Sequence, residues 1–176
     1  MKHPELLSLH SVSDLRISPG TSRCAFLVHT PCEAENNYET HLYVSDFTVS
    51  YPIGMSGITS FAWVDDAALA VGRPSADSTQ FALLSLKDGS EGTVWNIPFD
   101  ARIEGWVLGQ LLISARRPIT EEKAQEDGSW TILDELPIWE DGEGYRAKIR
   151  RQLFLCSYGG QPIRISPEEM DVRIVS

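Results

Sequence analysis

Residues 58–99 read ITSFAWVDDAALAVGRPSADSTQFALLSLKDGSEGTVWNIPF, and the order of signals in this stretch decides the fold. Ile58–Val64 is a short apolar run that ends at Asp65-Asp66, and a second small apolar run follows at Ala67–Gly72. Gln80–Leu86 meets the turn residues Lys87-Asp88-Gly89, and Thr93–Phe99 completes the unit. Four runs this short, each bounded by Asp, Gly or Pro, are strands rather than helices.

The same order recurs on both sides. Upstream are Val12–Ser18, a Pro-Gly turn, Cys24–Thr30, a polar loop at Glu33–Glu39, His41–Phe47 and the short Tyr51–Ile53. Downstream are Ile103–Leu108, a Gly-Gln turn and Leu111–Ala115. Ile17, Trp63 and Trp106 hold equivalent places in the first strands, at intervals of 46 and 43 residues. A four-strand unit recurring every 40–50 residues is the signature of a β-propeller blade. A β-sandwich also offers short strands at close spacing, but the repeated order within each unit favours the propeller. The expectation is therefore an all-β, incomplete propeller of about three four-stranded blades. Blade 1 spans about 11–54, blade 2 about 57–100 and blade 3 about 102–169, with a start of blade 4 at about 170–176.

The third unit is interrupted. Some 35 residues, Arg116 to Arg150, separate its second strand from Gln152–Cys156. A Tyr-Gly-Gly turn and Pro162–Ser166 follow, and Met170–Ser176 reads as the opening strand of a further unit. Charge in the insert is polarised. Nine acids and one base lie between Glu121 and Glu143, whereas Arg146, Lys148, Arg150 and Arg151 crowd the next eight residues.

Propellers close with four to eight blades, so an arc of three leaves sheet faces bare at both ends. Those faces are expected to be covered by further chain or by self-association.

Composition narrows the function. At 176 residues and 42% hydrophobic content the chain can bury one sizeable core. Its net charge of −10 argues against nucleic acid and against anionic lipid surfaces. No apolar run approaches the ~20 residues that cross a bilayer, and the first residues lack a signal-peptide core. Three scattered cysteines give no disulfide framework, so a cytoplasmic setting is expected. Cys24, His29, Cys32 and His41 fit no zinc spacing, because an odd separation puts Cys24 and His29 on opposite faces of one strand. No metal and no cofactor is expected.

Two phrases resemble a family. PELLSLHSVSDLRISPGTSRCAFLVHTP, with Ser13-Asp14, Ile17-Ser18-Pro19, Gly20 and Ala25-Phe26, is similar to the first blade of the acylaminoacyl-peptidase branch of the prolyl oligopeptidase family. The Asp usual between that Pro and Gly is missing. The stretch YETHLYVSD and the insert phrase, with Leu136-Pro137, Asp141–Tyr145 and Leu153-Phe154, follow the family's order, so the resemblance runs from Glu5 to Val175.

The resemblance implies an N-terminal propeller that gates peptide substrates and supports a C-terminal α/β-hydrolase domain carrying a Ser-Asp-His triad. The nucleophile elbow G-x-S-x-G does not occur here; Gly54-Met55-Ser56-Gly57 has the wrong spacing. No catalytic residue is therefore expected in this chain. Candidates for contact with substrate or partner are Trp139, Asp141, Glu143, Tyr145 and Arg146. For Asp141 and Glu143, interleaved with Gly142 and Gly144, the simpler role is a tight solvated turn. Trp63, Trp95 and Trp106 read as core, and Trp130 and Trp139 as anchors of the insert. The alternative function is a free-standing, self-associating propeller-like binding module.

Overall fold

The computed structural model describes residues 9–119 apart from 21, 35 and 93, the backbone of 138–140 and 144–146, and residues 148–174. Three four-stranded antiparallel sheets follow one another along the chain. The first holds β1 (Ser11–Ile17), β2 (Cys24–Cys32), β3 (Asn37–Ser45) and β4 (Ser50–Pro52) in that spatial order. The second holds β5 (Ser60–Asp65), β6 (Ala68–Ser75), β7 (Ser78–Ser85) and β8 (Trp95–Ile97). The third holds β9 (Arg102–Val107), β10 (Gln110–Pro118), β13 (Ile149–Cys156) and β14 (Ile163–Arg164), with β11 (Ile138–Glu140) and β12 (Gly144–Arg146) as a hairpin between its middle strands. Each sheet is a meander whose neighbours in sequence are neighbours in space, which is the construction of a propeller blade.

The Ile17, Trp63 and Trp106 equivalence is a register fact: they oppose Cys24, Leu69 and Leu111. Their burial differs. Trp63 is 7% exposed and Ile17 67%, because Trp63 faces blade 1 across an interface while Ile17 lies on the uncovered face of the first sheet.

Alternation along each strand builds two cores. Phe61, Trp63, Leu69, Val71 and Leu84 of blade 2 pack on Leu27, Leu42 and Val44 of blade 1. Ala62, Ala70 and Phe81, from the opposite face of the same strands, pack on Ile103, Leu111, Ile113 and Phe154 of blade 3. Blade 2 thus carries apolar residues at consecutive positions because both of its faces are buried. Blades 1 and 3 bury one face each. Val12 and Ile17 on the first, and Ile163 on the third, remain exposed on the other.

The inner strands are irregular in a common way. Extra residues bulge out at Asp14–Leu15 of β1, Val64 of β5 and Glu104 of β9, and a bulge re-aims side chains at a sheet edge. Asp14 takes φ 54° there and its carboxylate receives Arg102 Nη2 at 2.5 Å, 88 residues away. Arg16 Nη1 donates to the Glu104 carbonyl at 2.7 Å, its guanidinium lies 5.5 Å from the Phe61 ring, and its own carbonyl accepts the Trp63 indole N–H at 3.1 Å. One side chain therefore ties blades 1, 2 and 3 together along their inner edge. Burial lowers the Arg16 guanidinium from its ordinary value, and Asp14 and Glu104 oppose that shift. Arg16→Met keeps the apolar stem and removes the charged hydrogen bonds. We expect a loss of about 1–2 kcal/mol in urea unfolding; an unchanged midpoint would show that the bridge contributes nothing.

The outer strands are short, and each has a proline beside it. Pro52 ends β4, Pro98 follows β8 and Pro162 stands just before β14. Short, proline-marked edges discourage further pairing. Residues 170–174, expected to open a fourth unit, form no strand. The Asp171 carboxylate accepts the Arg151 backbone N–H at 2.7 Å and the Val172 N–H donates to the Arg151 carbonyl at 3.0 Å. This segment runs beside β13 instead.

Candidate functional site

The insert leaves blade 3 from a longer stem than its composition indicates. The β10–β13 ladder runs from Leu111↔Cys156 to Pro118↔Ile149, and Ile119 N–H still reaches the Lys148 carbonyl at 2.8 Å. Arg116 to Pro118 and Ile149 to Arg150, assigned from sequence to the insert, therefore belong to the sheet. Long basic side chains are tolerated in a strand when their stems cover apolar surface. Arg117 does this, with its guanidinium 4.8 Å from the centre of the Phe99 ring.

The register has an electrostatic cost. Arg116 stands opposite Arg151 and Arg117 opposite Arg150, and like charges directly opposite destabilise a ladder. Local hydrogen bonds hold part of the cluster: Arg150 Nε donates to the Glu169 carbonyl at 3.3 Å, and Gln152 Nε2 to the Glu168 carbonyl at 3.5 Å.

Of the predicted contact residues, three fall on the described hairpin. Trp139 pairs with Tyr145, and Arg146 with Ile138. Asp141 and Glu143 lie between the two strands, outside the described residues, as does Trp130. The hairpin brings Trp139, Tyr145 and Arg146 within one short ladder.

At the foot of that stem, on the same end of the blades, a cavity of about 430 Å³ opens between blades 2 and 3. Thr59 and Pro74 of blade 2 line one side, and Arg102, Arg116 and Arg151 of blade 3 the other, with Asp100 from the connection between them. Sequence reading missed this site. The available signal was the pair of dibasic steps, Arg116-Arg117 and Arg150-Arg151, that bracket the insert symmetrically. Arg102 gave no signal, being separated from them in sequence and joined only by the β9–β10 ladder.

The cysteine and histidine residues do other things. His29 lies between two hydroxyls, Ser13 Oγ at 2.8 Å from Nε2 and Thr40 Oγ1 at 3.0 Å from Nδ1, and His41 faces Glu39 at 3.3 Å. Cys156 is buried against Trp95, and burial pushes its thiol up, away from the reactive thiolate. Among the described residues no three His, Cys, Asp or Glu side chains converge as a metal site would require, and no helix is long and apolar enough to cross a membrane.

Comparison with solved structures places the fold. The chain is similar to an acylaminoacyl peptidase from Pyrococcus horikoshii, with a TM-score of 0.68 and 17% identity over 90% of this chain and 25% of that one. An acylaminoacyl peptidase in complex with Z-Gly-Gly-Phe-chloromethyl ketone gives a TM-score of 0.67 at 17% identity, covering 88% of this chain and 24% of that one. The β-propeller domain of the trilobed protease from Pyrococcus furiosus, described as having an open velcro topology, gives 0.52 at 13% identity, over 88% of this chain and 43% of that one. This chain spans about a quarter of the length of the acylaminoacyl peptidases it matches. No family model matches it, and no curated protein does. The likeness is one of fold: an incomplete β-propeller.

Proposed function

We propose that this chain is the non-catalytic propeller portion of a hydrolase resembling the acylaminoacyl peptidases, where it restricts peptide access and supports a catalytic α/β-hydrolase domain. The observation that carries this reading is the likeness over nine-tenths of the chain to a quarter of such a peptidase. The phrases Ile17-Ser18-Pro19 and Asp141–Tyr145 support it from the sequence side. On this reading Trp139, Tyr145 and Arg146, with Asp141 and Glu143 between them in the sequence, are the candidates for contact with a substrate or the catalytic domain.

The chain by itself is expected to release no chromophore from acylated or free aminoacyl nitroanilides. Turnover that a serine-directed inhibitor abolishes would overturn the reading. A second reading, a self-associating binding module, draws on the apolar residues exposed on both terminal sheets. Light scattering separates the two. A defined oligomer that persists on dilution favours the module, whereas a chain that becomes well behaved only when joined to further blades favours the peptidase portion.

A further inference from the structure

We infer that Ser13 of β1 is an acyl-acceptor hydroxyl, activated by His29 of β2, that takes the acyl group of small reactive esters and thioesters. The inference stands on the geometry of blade 1 and does not rest on the peptidase reading.

Three side chains from three adjacent strands are joined in a row. Ser13 Oγ lies 2.8 Å from His29 Nε2, and Thr40 Oγ1 of β3 lies 3.0 Å from His29 Nδ1. A nucleophile, a base within hydrogen-bond reach and a third group that orients the base form the arrangement that activates a hydroxyl. When Nδ1–H donates to the Thr40 hydroxyl, Nε2 carries the lone pair and accepts the Ser13 proton. The β2–β3 ladder sets His29 opposite Thr40 and, two residues along, Leu27 opposite Leu42. Alternation therefore puts the row on the same face as those two buried leucines, at the rim of the first core. An apolar floor strengthens hydrogen bonds that run over it. Ser13, His29 and Thr40 are each half-buried, and so within reach of a small reagent.

The backbone after Ser13 suits the charge that acylation develops. β1 bulges between Ser13 and Arg16, and Asp14 takes φ 54°. A bulge takes backbone N–H groups out of the regular ladder. Those of Asp14 and Leu15 directly follow the serine and are the donors an oxyanion there would meet. The Asp14 carboxylate would repel that charge, but Arg102 Nη2 holds it at 2.5 Å. In the step itself Ser13 Oγ bonds to the acyl carbon while its proton passes to His29 Nε2. The bond from that carbon to the leaving oxygen or sulfur breaks, and the leaving group takes the proton and departs as an alcohol or thiol. The acyl group stays as a serine ester, and nothing is oxidised or reduced. A hydroxyl backs His29 where a Ser-His-Asp triad has a carboxylate, so the imidazolium is stabilised less. The reactivity is accordingly limited to good leaving groups, and it adds no turnover of nitroanilides.

The test treats the full chain with 4-nitrophenyl acetate and follows nitrophenolate release, intact mass and the site of acetylation by peptide mapping. Ser13 is expected to carry the acetyl group and to react about 10²-fold or more faster than the hydroxyl of N-acetylserinamide. Ser13→Ala is expected to remove the label from this strand, and His29→Gln to slow acetylation of Ser13 about 10²-fold. Thr40 is a positioning residue: Thr40→Val is expected to slow the reaction about 10-fold, and Thr40→Ser to restore it, with the two variants unfolding alike. Mapping in the parent chain needs no variant, so a substitution that upsets the fold leaves the test intact. The inference is overturned if the parent is acetylated elsewhere with Ser13 untouched, if Ser13 reacts no faster than N-acetylserinamide, or if His29→Gln reacts at the parent rate. Any of these leaves the peptidase reading standing, since nitroanilide turnover tests that reading separately.

Discussion

Glu91→Gln is expected to lower the stability of the chain by about 3–5 kcal/mol, the usual cost of breaking a buried ion pair from one side. Glu91 grips Arg73 through both carboxylate oxygens, one of them meeting Nη1 at 2.9 Å. The two side chains are only 10% and 14% exposed, so water cannot replace the lost partner. Arg73 Nε already lacks a hydrogen bond in its buried position, and a neutral amide in place of Glu91 leaves the whole guanidinium short of an anion. The pair clamps the end of β6 to the loop before β8, so the outer half of blade 2 loosens with it. For a chain of this size the loss corresponds to a fall of about 6–20 °C in Tm. The double variant Arg73→Met, Glu91→Leu removes both charges and is expected to regain most of the loss. A single variant within 1 kcal/mol of the parent would show the pair to be solvated in practice.

Phe81→Ala is expected to cost a similar amount, about 3–5 kcal/mol, through the cavity it leaves between blades 2 and 3. Phe81 is fully buried, with its ring centre 5.9 Å from that of Trp95, which in turn meets Tyr158 of blade 3 at 4.7 Å. The backbone is shaped to receive it. A Cβ at Gly72, directly opposite in the β6–β7 ladder, would stand 3.1 Å from the Phe81 ring and 2.9 Å from Ser60 Oγ. Ser60 Oγ accepts the Ile103 backbone N–H at 3.0 Å, so the glycine also keeps open a direct tie from blade 2 to blade 3. Leu108→Ala serves as the control. Leu108 is 97% exposed at the tip of the β9–β10 hairpin, and its truncation is expected to change stability by less than about 0.5 kcal/mol. If the two variants unfold alike in urea, the second core does not hold the blades together.

Acid is expected to act on the exposed turns before the cores. The Asp46 carboxyl is held below its ordinary value by the backbone N–H groups of Val49 and Thr48, and Asp88 by the Ser90 hydroxyl and then its N–H. Groups lowered in this way stabilise the fold fully above the ordinary carboxylate range, and that contribution fades as pH falls through their lowered values.

Much of this protein was legible from one dimension. Strand identity, blade order and the place of the insert follow from local facts: runs of two to nine residues, turn residues between them, and spacings of 46 and 43. Meander topology makes this possible, because each strand except the β10–β13 pair flanking the insert pairs with its neighbour in sequence and the intervening turn fixes the register. The Ile17, Trp63 and Trp106 correspondence survived as register for that reason. The hairpin carrying Trp139, Tyr145 and Arg146 was visible as an acidic, glycine-rich turn, although reading alone did not pair Trp139 with Tyr145.

Tertiary structure decided everything that depends on which face or edge meets another blade. Ile17 and Trp63 occupy the same position in their sheets, and only stacking makes one exposed and the other buried. Arg16, Arg73 and Arg102 carry no distinguishing signal in the sequence. They became a bridge across three blades, a buried ion pair and a cavity wall because bulges and ladders brought Glu104, Glu91 and Asp14 to them from 18 to 88 residues away. Periodicity encodes alternation within a strand, and it carries no record of what lies across an interface. The physical reason is range: pleating and turns act between near neighbours in the chain, whereas burial and charge pairing act between whatever the folded sheets bring into contact.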